Sequence, residues 1–208
     1  MRIEAADFAI HSETLLAVVL GALLATISGL VATQFEAHLR RREHEHDAAL
    51  LFGELLSTLQ ILIERADETR GRGDPYGQIT IRMLRAVRRE LDIYDRNREA
   101  LYDLRDAAIR VRIHGLAIRV AMALDGVLEA TPEIAAVELS GKAPGLAKKA
   151  KDEIAERLDR MRASRAASFD FALEMAAQIR PVVGELGVLA RHSFEVMTRL
   201  AQAVSDAD

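Results

Sequence analysis

The chain has 208 residues, enough for one domain of ordinary size beside a membrane anchor. It contains no Cys, which excludes disulfides and thiolate metal sites, and its net charge of −4 argues against nucleic acid as a partner. Only 4% of the residues are aromatic, and the apolar residues are mainly Ala, Leu, Ile and Val, which suits the packing of helix on helix.

The N-terminal region contains one long apolar stretch. The 22 residues from Thr14 to Phe35 carry no charge, and Glu13 and Glu36 flank them. As a helix this stretch covers about 33 Å, enough to cross the hydrocarbon core of a bilayer. It is longer than the apolar part of a typical signal peptide, and acidic rather than basic residues precede it. The sequence therefore predicts a transmembrane helix over residues 13–36.

The charges beside this stretch predict its orientation. Before it, Arg2 is outweighed by three acidic residues, and directly after it come three arginines, namely Arg40, Arg41 and Arg42. The positive-inside rule then places residues 1–12 outside, as a short tail, and residues 37–208 in the cytoplasm, with the chain anchored in the inner membrane. We expect the three arginines to contact anionic lipid head groups.

Small residues follow one side of the predicted span. They recur at every fourth position, at Ala17, Gly21, Ala25, Gly29 and Thr33. On a helix this spacing lines one face and lets a second backbone approach closely. The pattern predicts association with a second copy of the chain or with a membrane-protein partner. The alternative is that this face meets only lipid.

The rest of the chain predicts an all-α fold. Apolar residues recur at helical spacing, and no stretch alternates in the manner of a strand. Gly and Pro predict loops near 71–77 and 140–145. We expect a cytoplasmic antiparallel helical bundle of about four to five helices, which continues from the transmembrane helix.

Finer boundaries follow from capping residues and prolines. A break is predicted at 95–97, with Asn97 capping a helix over about 98–130. Thr131 and Pro132 are typical of a new helix start. Pro181 is expected to kink the last long helix or to begin a separate one within an apolar pattern that runs on to Met197.

The predicted helix over 98–130 carries two apolar arcs. One includes Val111, Ile118 and Met122, and the other includes Ile113 and Val120. A helix that is apolar on two sides is usually central and contacts two or more neighbours. We therefore expect both arcs to be buried in the bundle.

A His-rich segment follows the predicted span. His44, His46 and Asp47 are candidate metal ligands, and Glu43 shares a helix face with His46 and Asp47. His44 and His46 lie two residues apart, however, and project in very different directions. The alternative is a solvated surface just inside the membrane.

The same segment suggests phosphotransfer. His44 and His46 are each followed by an acidic residue on a helix beyond a membrane span. In this the segment resembles the dimerisation helix of sensor histidine kinases, a resemblance that implies a phosphoryl-accepting His. The Pro that usually follows the acceptor His in that family is absent here, and no ATP-binding domain follows.

Four arginines recur at every seventh position of the bundle, at Arg98, Arg105, Arg112 and Arg119. Guanidinium groups bind phosphate and carboxylate through paired hydrogen bonds, so the row could line an anion pocket. The alternative is that each Arg pairs with an acidic residue of a neighbouring helix or extends into solvent.

No set of residues is recognisable as catalytic, and no cofactor is expected. The favoured interpretation is a membrane-anchored, non-enzymatic interaction or scaffold protein that associates through its span and its bundle. Its expected partners are membrane lipid and either further copies of the chain or another membrane protein. The alternative is a signalling or effector component whose bundle binds an anion or a metal or accepts a phosphoryl group.

Overall fold

The computed structural model describes residues 3–144 and 147–194. Across these ranges the chain is helical and contains no strand, which confirms the all-α class. The helices are α1 (Ile3–Gly71), α2 (Gln78–Arg96), a 3₁₀ helix (Arg98–Asp103), α3 (Ala107–Gly141) and α4 (Lys148–Ala190). Their connections are short, and those between α1 and α2 and between α3 and α4 contain the chain's Gly-rich and Pro-containing segments.

The chain divides into two compact units, Met1–His44 and Glu45–Asp208. Helix α1 contributes to both. In the first unit it is the one helix described, and the helix already begins at Ile3, within the predicted tail. The second unit contains the remainder of α1 together with α2, the 3₁₀ helix, α3 and α4.

The second unit has one continuous apolar core. Each helix contributes a buried stripe, because apolar residues three and four positions apart share one helix face. The largest fully buried side chains are Phe52, Leu56, Leu59, Ile63, Leu84, Leu91, Tyr94, Leu104, Ile113, Leu124, Phe169 and Ile179. The rings of Phe52 and Tyr94 meet edge to face with centroids 6.1 Å apart, which joins α1 to α2.

Helices α3 and α4 pack against each other extensively. Small residues allow this approach. A Cβ built on Gly126 of α3 would lie 2.6 Å from Oγ of Ser168 on α4, so a larger residue has no room there. The two helices also carry several buried alanines, namely Ala117 and Ala123 on α3 and Ala172 and Ala176 on α4.

The connection between α1 and α2 packs onto the middle of α4. The ring of Tyr76 lies 6.4 Å from that of Phe169, and the Arg165 guanidinium lies 3.6 Å above the Tyr76 ring centroid. Nearby, Arg70 pairs with Asp170 at 2.7 Å. These contacts mark where α1 and α2 stop covering α4.

Beyond that point, α3 and α4 continue as a two-helix arm. The arm comprises residues 128–144 and 147–164, and it extends about 25–30 Å past the contact of Gly126 with Ser168. Ile134 is its one buried apolar residue among those described. Glu138 and Arg162 pair across it at 2.7 Å.

A helix boundary lies near Asn97 as predicted, but Asn97 does not cap the following helix. Asn97 ends α2, and its side-chain Nδ2 donates to the Ile93 carbonyl instead of capping the next helix. A 3₁₀ helix follows where an α-helix from residue 98 was predicted. The true N-cap of α3 is Asp106, whose carboxylate accepts from the backbone N–H groups of Ala108 and Ile109.

Neither interior proline ends a helix. The predicted helix start at Thr131 and Pro132 is wrong, because α3 runs through both, and Thr131 Oγ1 donates to the Val127 carbonyl at 2.8 Å. Helix α4 likewise continues through Pro181, so no separate last helix begins there. Both prolines lie on exposed helix faces, where water can bond the carbonyl that each leaves without a donor.

Helix α4 ends before the apolar pattern does. It stops at Ala190, and Arg191 adopts a left-handed conformation with φ 47°. The chain then turns back so that Phe194, 4% exposed, lies directly on Gly53 of α1. The prediction that the helix includes Phe194 is therefore wrong, and Met197 lies outside the described residues.

We predict that Gly53→Ala destabilises the protein only while Phe194 is present. The added Cβ would lie 2.1 Å from Cζ of Phe194, so the ring must move from its site. Overpacking of this kind costs about 1–3 kcal/mol, which exceeds the gain of up to about 1 kcal/mol from replacing a helical Gly by Ala. The measurement is thermal unfolding of the single and double variants.

In the Phe194→Ala background, the effect of Gly53→Ala on stability should change from destabilising to stabilising. With the ring removed, Gly53→Ala keeps the helix-propensity gain and meets no obstacle, so it should raise the melting temperature. Equal destabilisation by Gly53→Ala in both backgrounds would show that Phe194 does not occupy this position.

Candidate association surfaces

Helix α1 meets a length and composition criterion for crossing a membrane. Among the described residues it is the one helix that does so, over Leu23–Gly71. Half of its apolar window is buried, and the buried residues of this range begin at Ala48, in the second unit. The case for a span therefore depends on the exposed apolar residues before His44.

The described side chains of the first unit, from Leu20 to His44, are exposed without exception. Eight of them are large and apolar, with exposed fractions from 49% at Leu39 to 62% at Val31 and Phe35. Soluble proteins rarely leave so long a series of large apolar residues uncovered. The described part of the chain supplies no cover for this surface.

Between Leu20 and Thr33, large and small residues lie on opposite sides of this helix. At about 100° per residue, Leu20, Leu23, Leu24, Ile27, Leu30 and Val31 point in one mean direction. Gly21, Ala25, Gly29 and Thr33 point about 180° away from it. We call these four residues, with Ala17, the small-residue face. The side chain of Ala17 lies outside the described residues.

The small-residue face is open and its described polar groups are satisfied. A Cβ on Gly21 or Gly29 would meet nothing within 4 Å. Thr33 Oγ1 donates to the carbonyls of Gly29 and Leu30, and Ser28 Oγ donates to that of Leu24 at 2.7 Å. Hydroxyl groups bonded within their own helix can enter an apolar environment without an unpaired donor.

A second apolar surface lies on α3. Of the two predicted arcs, one is buried and includes Ile113 and Val120. The other arc also includes Leu101 and Leu104, which precede α3 and are buried. Its members on α3 are exposed, with exposed fractions of 71% at Val111, 45% at Ile118 and 66% at Met122. The expectation that both arcs are buried is wrong, because α1, α2 and α4 cover only one side of α3. The second unit therefore has an apolar stripe available to a partner.

The three arginines that follow the predicted span are exposed to solvent. Arg40, Arg41 and Arg42 are exposed, and Arg40 lies 3.7 Å from Glu36. His44 is exposed and His46 is half-buried, with Asp47 exposed beside it. Within the described ranges, the structure brings together no group of three His, Asp or Glu side chains able to hold a metal ion.

Two members of the arginine row pair with acidic residues from distant parts of the chain. Arg105 Nε lies 3.3 Å from Glu45, and its backbone N–H donates to the same carboxylate at 3.1 Å. Both terminal nitrogens of Arg112 donate hydrogen bonds to the carboxylate of Glu185 on α4. Arg119 donates to the carbonyl of Gly115. Arg98 is exposed. The four guanidinium groups thus have separate surroundings.

The ion pair between Arg112 and Glu185 shifts the pKa of both side chains. The hydrogen bonds from Arg112 hold the pKa of Glu185 below its ordinary value of 4.5, against a smaller opposing effect of desolvation. The same bonds raise the pKa of Arg112. Both side chains are nearly half exposed, so the pair contributes modestly to stability.

Sequence reasoning missed two contacts of the second unit. The Tyr94 hydroxyl hydrogen-bonds Nδ1 of His114 at 2.7 Å, and burial raises the pKa of Tyr94, an effect that the charge of Arg98 partly offsets. Burial also lowers the pKa of Arg165, which rests on the Tyr76 ring. Helical periodicity placed Tyr94 on a buried face, but no sequence signal identified the partner of either group.

Comparison with known proteins gave no relative. No protein-family model, curated protein or solved structure matches this chain.

We predict that Glu185 makes stability depend on pH in the acid range. The pKa of Glu185 is lower in the folded chain than in the unfolded chain, where it is near 4.5. Its contribution to the free energy of unfolding is therefore complete above pH 4.5 and is lost as the pH falls through the pKa of the folded chain. Glu185→Gln should therefore lower the melting temperature at neutral pH, and the difference from wild type should vanish in acid. Thermal unfolding from neutral pH downward measures this.

Glu174→Gln is the matched control, since Glu174 is an exposed carboxylate on the same helix. It should leave the neutral melting temperature unchanged. A Glu185→Gln difference that persists undiminished in acid would contradict the assigned ion pair.

Proposed function

We propose that this protein is a membrane-anchored, non-enzymatic interaction protein. Its N-terminal helix crosses the inner membrane and associates through the small-residue face. Its second unit lies in the cytoplasm and offers the exposed stripe of α3 to a partner. Residues 1–12 lie outside as a short tail, and Arg40, Arg41 and Arg42 meet lipid head groups.

The observation that carries the proposal is the division of the first unit's helix into opposite large and small faces, all exposed. Covering each large apolar side chain is favourable by about 1.5–3 kcal/mol, so water is a poor environment for this surface. Lipid chains suit the large face. Within a bilayer, helices associate through close backbone approach, for which Gly21, Ala25 and Gly29 provide the space.

The orientation follows from charge. Three consecutive arginines after the apolar stretch outweigh Arg2 before it. Basic residues next to a span remain on the cytoplasmic side, and they gain about 1 kcal/mol each from an anionic leaflet.

We predict a cytoplasmic C-terminus. Green fluorescent protein fused after Asp208 should fluoresce in bacterial cells, and alkaline phosphatase fused at the same site should be inactive, because it matures only outside the cytoplasm. Both fusions should sediment with membranes. An active phosphatase fusion would contradict the orientation, and a fusion recovered in the soluble fraction would contradict the anchor.

We predict that the pair Gly21→Leu and Gly29→Leu weakens self-association by about tenfold or more. An added Cβ at either position meets nothing within 4 Å among the described residues, so a loss of association should report on the contact between helices and not on the fold. The measurement is native mass spectrometry of the full-length protein, gently extracted from its membrane. Wild type should give a homo-oligomer of defined size.

The matched control adds bulk to the opposite face, as Leu20→Phe with Ile27→Phe. Both positions are exposed, and the change keeps the helix apolar. This variant should remain oligomeric. A monomeric wild type, or equal loss in both variants, would contradict association through the small-residue face.

A further inference from the structure

The chain's lysines are confined to one place. All four lie within ten residues, at Lys142, Lys148, Lys149 and Lys151, whereas its 24 arginines lie elsewhere in the sequence. No acidic residue falls between Leu139 and Lys151. These lysines surround the connection between α3 and α4, at the tip of the two-helix arm. A chain of net charge −4 thus carries a concentrated positive charge at one end of its second unit.

The four lysines are exposed, and none forms an ion pair with the described residues. By contrast, arginines account for every salt bridge in these ranges, including Arg162 with Glu138 at 2.7 Å. Asp152 and Glu153 follow Lys151 directly in the sequence, but within the described ranges no carboxylate pairs with any of the four lysines. The positive charge of the tip is therefore available to an external anion.

The position of these lysines works against the isolated helix. Lys148, Lys149 and Lys151 occupy the start of α4, where the first turn has no acidic residue and Ala147 provides no side-chain cap. Cations at the positive end of a helix dipole are unfavourable, and acidic groups there are favourable. Acidic side chains from a partner would remove this repulsion.

A groove lies beside the lysines. Its volume is about 470 Å³. Its lining includes the apolar Ile154, Ala155 and Leu158, the cationic Lys142, Lys151 and Arg162, and the acidic Glu138. Since Glu138 and Arg162 pair with each other, the two lysines are the lining cations left for a ligand.

The tip lies far from the place where the chain enters the second unit. Glu45, the first residue of this unit, pairs with Arg105 at the start of α3. Helix α3 then runs 35 residues, about 50 Å, to the tip. The groove combines apolar and cationic lining residues, and an acidic amphipathic helix of a protein matches this combination better than lipid head groups alone.

We propose that the groove at the arm tip binds an acidic amphipathic helix of a partner protein. Apolar side chains of that helix contact Ile154 and Leu158, and its carboxylates pair with Lys142 and Lys151. Apolar anchors set between charged flanks are the usual way in which a helix occupies a groove. This inference rests on the proposed interaction function and names the chemistry of one partner, separately from the small-residue face.

The test uses the full-length protein in nanodiscs of neutral lipid. The probe is a fluorescent synthetic helix with leucines on one face and glutamates beside them, and its reference replaces each Glu by Gln. Fluorescence anisotropy should show the Glu peptide binding about tenfold more tightly than the Gln peptide at low salt, with the difference reduced at high salt.

The variant K142Q/K151Q should lose about tenfold in affinity for the Glu peptide. The matched control R85Q/R89Q also removes two exposed cations, from α2, and should bind as wild type does. Circular dichroism should show unchanged helicity for both variants, because all four positions are exposed. Native mass spectrometry of K142Q/K151Q should give the wild-type oligomer, which separates this site from the span.

Three results would overturn the inference. Equal binding of the Glu and Gln peptides would remove the role of charge. Equal loss in K142Q/K151Q and R85Q/R89Q would show unspecific attraction. Failure to bind the Glu peptide, with lysine-dependent binding to vesicles of anionic lipid, would identify a membrane surface as the occupant. A monomeric native mass with intact peptide binding would instead contradict association of the span and leave the tip site standing.

Discussion

The close approach of α3 and α4 is the constraint on which the second unit depends. At Gly126 an added Cβ would lie 2.6 Å from Oγ and 3.1 Å from Cβ of Ser168, so any larger residue would force Ser168 to move. Because these helices lie together over their small residues, their larger apolar residues turn towards α1 and α2 and complete one core. The same pairing continues past that core and forms the arm, which has almost no interior of its own.

Much of this architecture was readable from the sequence, because it depends on local chemistry. Helical periodicity gave the all-α class, and the Gly- and Pro-containing segments lie at the turns between α1 and α2 and between α3 and α4. The uncharged stretch from Thr14 to Phe35 is visible without any structure. Its two faces follow from the same spacing, once large and small residues are considered together.

What the sequence did not show depends on contacts between distant segments. Pro132 and Pro181 suggested helix ends, yet each lies on an exposed face where water replaces the lost backbone bond. The pairing of Arg112 with Glu185 joins residues 73 positions apart and leaves no local pattern. Likewise, we expected the apolar residues around Ile118 to be buried because they follow helical spacing. Their burial depends on whether another helix packs against that side of α3, which the local sequence does not show.

The confinement of the lysines to one tip also determines how the protein meets amine-selective chemistry. Arginine does not react with such reagents at neutral pH, so acylation of side chains is restricted to Lys142 and to the three lysines in the first turns of α4, in addition to the N-terminal α-amine. Coupling to an activated surface through the lysine amines would attach the protein by the tip of its arm. The core of the second unit would then be held away from the support. A fluorophore or cross-linker attached in this way would report on the arm tip without any engineered residue.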